Sequence, residues 1–224
     1  FFFPFYHTGG AEKVHAQIAE ATGGSDCIIY FTRTSFNDRF FEEFKNSRCQ
    51  IKDISKFTDN KWLFPLNLIY RGVISGYINH QSRKAIVFNG QSNFGYKISP
   101  WINKKVVQVE LIHALNTFSL IRIPYLEFYK KKVSVSQEII DKHALLYKRY
   151  NVPENVFEHF TWIRSRIELP QKKIVKDYFS HPLQLLFVGR NSVEKRPAII
   201  AQIAKNINVA GINAVVEFAG DVRS

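Results

Sequence analysis

The sequence predicts an α/β protein: a Rossmann-like parallel sheet followed by the beginning of a second Rossmann-like domain. Three observations carry this. Short β-branched and aromatic runs alternate with amphipathic stretches, the pattern of βαβ units around a parallel sheet. Glycines stand where two of those runs meet a helix start, at Gly9-Gly10 and at Gly189. The length of 224 residues suits one complete domain and part of another.

Taken in order, Phe1 to Phe5 reads as the tail of a first strand, and Tyr6 to Glu12 turns into a helix with Val14, Ile18 and Ala21 on one face. Cys27 to Phe31 is a second strand, and Ile51 opens a third. Leu66 to Ile78 carries apolar residues at helical spacing through Ile69, Val73 and Tyr77. Strands follow at Ala85 to Phe88, Val106 to Ile112 and Lys132 to Val135, each short and β-branched as buried parallel strands usually are. Asn116 to Lys131, with Pro124, reads as loop plus a short helix. Ser136 caps a helix from Gln137 to about Tyr150, whose inner face carries Ile139, His143, Leu146 and Tyr150.

This places a first domain over residues 1–165 and the start of a second over 166–224. Ile167 to His181 is polar, lysine-rich and contains Pro170, as a connection between domains is. Leu185 to Val188, Arg196 to Ile207 and Ala214 to Ala219 then give strand, helix and strand, expected in a sheet separate from the first. The absence of Met and a start inside a strand lead us to expect a piece of a longer chain.

A hydrophobic fraction of 46% with 22% charged residues excludes a disordered or fibrous chain. The 31 basic against 19 acidic side chains, a formal +12, draw the protein toward anionic partners: nucleic acid, acidic lipid or phosphorylated substrates. Lys104-Lys105, Lys130-Lys131-Lys132 and Lys172-Lys173 are scattered and lack an aromatic-glycine stacking signature, so nucleic acid is not expected. A basic module that binds nucleic acid or anionic membrane without catalysis is the alternative to an enzyme. Cys27 and Cys49 are too few for a disulfide framework or a thiolate metal site and read as reduced packing residues. With no leader-like n-region and no stretch of about 20 apolar residues, the expected address is cytoplasmic, in part peripheral on a membrane face.

Three places have the residues for chemistry. Thr8-Gly9-Gly10 lies between a strand and a helix, where backbone N–H groups and the helix dipole meet a phosphate or a sugar hydroxyl. The G-x-G-x-x-G spacing of dinucleotide sites is absent. Gly189-Arg190 with Glu194-Lys195 again joins a strand to a helix and brings two cations to one mouth, which suits a diphosphate; as a plain surface turn it would pair its charges with Glu194. His113 closes the strand Val109-Glu110-Leu111-Ile112, at the edge where open α/β sheets bind ligands; a lone histidine there is otherwise a hydrogen-bonded core residue. Neither H-E-x-x-H nor C-x-x-C occurs, and no metal site is predicted.

Together these residues resemble the retaining nucleotide-sugar glycosyltransferases of the GT-B fold, in particular glycosyltransferase family four, also called group one. The resemblance rests on Pro4 through Val14 with its Gly-Gly-Ala-Glu-Lys-Val, on His113, on Ser134-Val135-Ser136, and on Val188-Gly189-Arg190 with Glu194-Lys195. Ala219-Gly220-Asp221 matches the Gly-Asp turn of that family. The family's acidic pair, two Glu separated by seven residues, would fall beyond Ser224, and Trp162 to Ile167 stands where many members have Asn-Gly-Ile-Asp.

The resemblance implies an N-terminal acceptor domain and a C-terminal domain for a nucleotide diphosphate sugar, with function in the cleft between them. It implies transfer of a sugar, with retention, to a hydroxyl of a saccharide or lipid-linked acceptor. Arg190 and Lys195 would then stabilise the departing diphosphate, which needs no metal or other cofactor. Gly9, Gly10 and Gly189 would let backbone approach the substrates, and His113 would contact the donor sugar or position the acceptor. Another GT-B enzyme, such as a nucleotide-sugar epimerase, would share these features.

Overall fold

A computed structural model describes residues 1–81, 85–116, 118–156, 160–164, 182–189 and 195–220. The chain divides into two compact units, Phe1–Arg166 and Ile167–Ser224. In the first unit the strands are β1 (Phe2–Phe3), β2 (Ile28–Phe31), β3 (Gln50–Asp53), β4 (Ile86–Asn89), β5 (Val107–Ile112), β6 (Lys131–Ser134) and β7 (Phe160–Trp162). They form one sheet in the order β3-β2-β1-β4-β5-β6-β7, with every pair parallel. The helices are α1 (Gly10–Thr22), α2 (Phe41–Lys45), α3 (Ser55–Thr58), α4 (Phe64–Asn79), α5 (Asn93–Ile98), α6 (Phe118–Ile121) and α7 (Gln137–Arg149).

Successive residues of a strand point to opposite faces, and the core follows that rule. Phe2 and Tyr30 pack on one side with Ile74 of α4 and Phe94 and Ile98 of α5. Phe3, Ile29 and Phe31 pack on the other with Ala16 and Ala19 of α1 and Phe44 of α2. β1 pairs β2 on one side and β4 on the other, so the winding reverses between β1 and β4. That reversal opens a crevice at the carboxyl ends of the strands, where α/β sheets take their ligands.

The α/β expectation holds, and several elements differ in detail. β1 is cut short at Pro4, which has no N–H for the ladder, although its carbonyl still accepts from Arg33 N–H (3.0 Å). β7 is missing from the sequence reading: Phe-Thr-Trp at the sheet edge is too short for any periodicity. Three helices differ from the faces their spacing predicts. α1 buries Glu12, His15, Ala16 and Ala19, while Ala21 is exposed. α7 buries His143 and Tyr147, and Tyr150 is half exposed. α4 buries Asn67, Ile74 and Ser75 and exposes Ile69, Val73 and Tyr77. Periodicity shows that a helix has an apolar stripe; it does not show that the stripe faces the sheet.

The polar inner face of α7 meets a buried ionic group. Arg122 Nη2 donates to Glu110 Oε2 at 2.9 Å, both side chains without solvent exposure. His143 lies beside them, its Nε2 3.0 Å from Ser119 Oγ, while its Nδ1–H donates to the Ile139 carbonyl (2.7 Å). Ser136 caps α7 by accepting from Ile139 N–H (3.3 Å), as expected.

In the second unit, β8 (Leu183–Val188) and β9 (Ala214–Ala219) pair in parallel, and α8 (Pro197–Val209) lies between them in sequence. They form a separate two-stranded sheet, as predicted.

Candidate functional site at the strand carboxyl ends

Three chain segments meet at the crevice between β1 and β4. The turn after β1 brings Gly9 to the start of α1, where it stands as the N-cap with an extended backbone (φ −175°) that any residue adopts. The Glu12 carboxylate folds back over the turn and fills the space where a Cβ at Gly9 would stand. Glu12 is buried, sits in the first helical turn where the dipole favours an anion, and its Oε1 lies 3.9 Å from His7 Nε2. Gly10 has open space where a Cβ would be. The helix mouth thus holds a buried carboxylate beside the first backbone N–H groups of α1. That set matches a sugar hydroxyl, which both donates and accepts.

His113 follows β5 and faces the same crevice. Its backbone N–H donates to Gln91 Oε1 (3.2 Å), and its Nε2 lies 2.9 Å from Nε2 of His15 on α1. The two rings stand nearly perpendicular (74°), and His15 in turn stacks on Phe3 at 4.4 Å. Gly90 makes this pair attainable, because a Cβ there would press on His15 Nε2 and on the Phe3 ring. Gln91 has φ +62°, a left-handed conformation that costs a non-glycine residue energy and marks a turn held by its surroundings.

Burial holds both imidazoles neutral. His113 is pushed down to about 4, and His15 well below its usual value by burial first and then by His113. One proton therefore lies between the two Nε2 atoms. His15 Nδ1 is buried without a partner among the described residues, and a bare lone pair is tolerated there better than an orphaned N–H. The geometry thus assigns Nε2–H to His15 and Nδ1–H to His113, which leaves His113 a donor for a ligand.

The sign of the pH effect follows. A histidine whose folded pKa lies below its unfolded value of about 6.5 takes up its proton more readily in the unfolded chain, so stability falls as pH drops from about 6.5 toward 4. His113 alone contributes on the order of 2 kcal/mol of loss at pH 5, and His143, also held near 4 by burial, acts in the same direction. Urea unfolding at pH 7 and pH 5 checks this; equal stabilities at the two values would contradict the neutral-pair assignment.

A second cleft of about 290 Å³ opens on the α4 and α5 side of the same sheet edge. Arg33, Asn67, Asn93 and Lys97 give it polar walls, and Phe118 and Ile121 an apolar one. Lys97 is lowered by burial and then by Arg71, and the Asp59 carboxylate, paired with Arg33 (3.2 Å), lines the same cleft.

In the second unit, Gly189 ends β8, and its N–H donates to the Ala219 carbonyl (3.0 Å). A Cβ at Gly220 would collide with the Gly189 carbonyl, so the two strand ends meet backbone to backbone. The stem of Lys195 passes beside Gly189, its Cγ 3.6 Å from where a Cβ would stand, and the residue is exposed. Arg190, Glu194 and Asp221 lie outside the described residues.

The structure thus brings Gly9, Gly10 and His113 to one crevice in the first unit, and Gly189 and Lys195 together in the second. Sequence reasoning missed His15, Glu12, Gly90 and Gln91. The Asn-Gly after β4 was the available signal, since a glycine at that strand end abuts the point where the winding reverses.

No protein-family model matches the chain. No curated protein matches it in sequence. In structure it is similar to the apo form of the lipopolysaccharide outer core galactosyltransferase WaaB, with a TM-score of 0.60 at 12% identity, covering 98% of this chain and 68% of that one. The chain shares the fold of that structure over nearly its whole length. At that identity the likeness speaks for the architecture, and it accords with the GT-B expectation drawn from the motifs.

Proposed function

We propose that the protein transfers a sugar from a nucleotide diphosphate sugar to a hydroxyl of a saccharide or lipid-linked acceptor, with retention at the anomeric carbon. The observation that carries this reading is the His15–His113 pair beside the Gly9 turn, set at the winding reversal of a sheet whose fold is shared with a galactosyltransferase. In this reading the polar cleft with Arg33, Asn67, Asn93 and Lys97 takes the acceptor. Glu12 and the N–H groups at Gly9 and Gly10 bind sugar hydroxyls, and Nδ1–H of His113 donates to the donor sugar or positions the acceptor.

During transfer the bond from the anomeric carbon to the diphosphate oxygen breaks and a bond to the acceptor oxygen forms. Negative charge grows on the departing diphosphate, whose freed oxygen takes up the proton that the acceptor hydroxyl gives up. Preorganised cations aimed at that charge lower the barrier most. By the family resemblance, Arg190 and Lys195 supply them, with Gly189 letting the backbone approach. No metal or other cofactor enters this scheme.

His113→Ala is expected to lower turnover by about a hundredfold, as loss of one aimed donor does, and to lower the urea midpoint at pH 7 modestly, because the buried His15 Nε2–H loses its acceptor. A large drop in the midpoint with unchanged turnover per folded molecule would return His113 to a core role.

A further inference from the structure

The outer face of α4 is apolar where a soluble helix is polar. Ile69, Val73 and Tyr77 are 59%, 65% and 53% exposed, and Phe64 at its start is 52% exposed. The inner face, by contrast, buries Asn67 and Ser75. The only charge in the helix is Arg71, which turns inward and donates from Nε to Asn67 Oδ1 (2.8 Å). An apolar stripe this long is not left bare by a stable helix without a partner.

Both ends of the stripe carry an exposed tryptophan beside lysine. Lys61 and Trp62 precede α4, the indole 82% exposed and the ammonium 5.4 Å from its centroid. At the other end Asn79 ties down the next segment: its Nδ2 donates to the Trp101 carbonyl (2.9 Å), and its Oδ1 accepts from Asn103 N–H (2.7 Å). Exposed Trp101, followed by Lys104 and Lys105, is thereby fixed at the helix end.

Along the sequence, the charge from the start of the stripe to beyond Lys105 is of one sign. From Asn60 to Val109 the sequence has no Asp or Glu and seven Lys or Arg, more than half of the protein's net charge in fifty residues. We propose that α4 is the element by which the protein docks on an anionic bilayer. The stripe lies in the headgroup–acyl boundary, Trp62 and Trp101 sit at headgroup level, and the lysines reach lipid phosphates. A second copy fits poorly, since two such faces would bring like charges together. Nucleic acid would leave the apolar stripe uncovered. The contact is parallel to the surface: α4 has 16 residues, and no helix of the described residues is long and apolar enough to cross a membrane.

The test is co-sedimentation of the protein with vesicles of phosphatidylcholine, or of phosphatidylcholine enriched in phosphatidylglycerol. Binding is expected to the anionic vesicles only and to weaken with salt. Ile69→Glu with Val73→Glu should reduce it at least about tenfold, and Lys104→Glu about fivefold for the one lysine charge removed, with a further loss for the acid introduced. Both apolar positions are exposed, so the urea midpoint should hold; should the double glutamate variant not fold, Ile69→Ser with Val73→Ser takes its place.

Equal binding to neutral and anionic vesicles, binding to neither, or undiminished binding by the double variant would overturn the proposal. So would self-association without lipid that the double variant abolishes. The proposal stands on the residues of α4 and its flanks, so a protein that transfers sugar but ignores vesicles refutes it alone.

Discussion

Arg122→Met is expected to destabilise the first unit by about 3–5 kcal/mol, because it leaves the Glu110 carboxylate buried and without its cation. Both partners are fully enclosed: Glu110 projects from β5, and Arg122 follows α6. The guanidinium also lies over the Tyr147 ring (5.8 Å) and 3.5 Å from His143 Nε2, so its loss removes packing as well as charge. The surroundings offer no replacement cation of equal quality: Lys132 donates to the Tyr129 carbonyl (2.8 Å) and is itself lowered by burial. Removing both charges is a different matter. Glu110→Leu with Arg122→Met should recover most of the loss, since apolar side chains of similar volume replace a buried ion pair at little cost. Urea unfolding of the two single variants and the double variant measures this; a double variant no more stable than the single would contradict it.

The same ionic group shows what the sequence could and could not disclose. The parallel sheet was legible because strands such as Ile28–Phe31 are short β-branched and aromatic runs, and the glycine turns mark strand ends. Gly9 and His113 stood out because strand ends are where ligands bind. His15 and Glu12 did not, since on a helix read for apolar spacing they fall on the polar side. Their burial comes from the Phe3 ring and the Gly9 turn, neither of which local spacing encodes. Tyr147 was passed over for Tyr150 for a related reason: α7 turns polar and aromatic groups inward to meet Arg122, a partner distant in sequence. The α4 stripe was visible as a stripe, yet which way it faces depends on Tyr70, Ile74 and Ile78 packing against the sheet.

The largest effect on activity is expected at Arg190 and Lys195. Arg190→Ala and Lys195→Ala should each lower sugar transfer by about a hundredfold or ~3 kcal/mol, the typical loss when a donor aimed at developing charge is removed. Lys195 passes beside Gly189, after β8, and its exposure keeps it out of the packing. Stability should therefore hardly change, which separates the catalytic loss from a folding one. Arg190→Lys should recover only part of the rate, because an ammonium keeps the charge without the two-pronged fork that fits phosphate oxygens. Near-native rates for both alanine variants at saturating substrates would make Arg190 and Lys195 ordinary surface charges.

The central claim is sugar transfer, and its most direct test uses the native protein in that same assay. The protein is incubated with a panel of nucleotide diphosphate sugars and saccharide acceptors, and NMR follows the anomeric proton of donor and product. The account predicts that one donor releases its nucleoside diphosphate in step with a new glycosidic bond of the same anomeric configuration. A panel in which no donor gives an acceptor-linked product, or a product of inverted configuration, would contradict it.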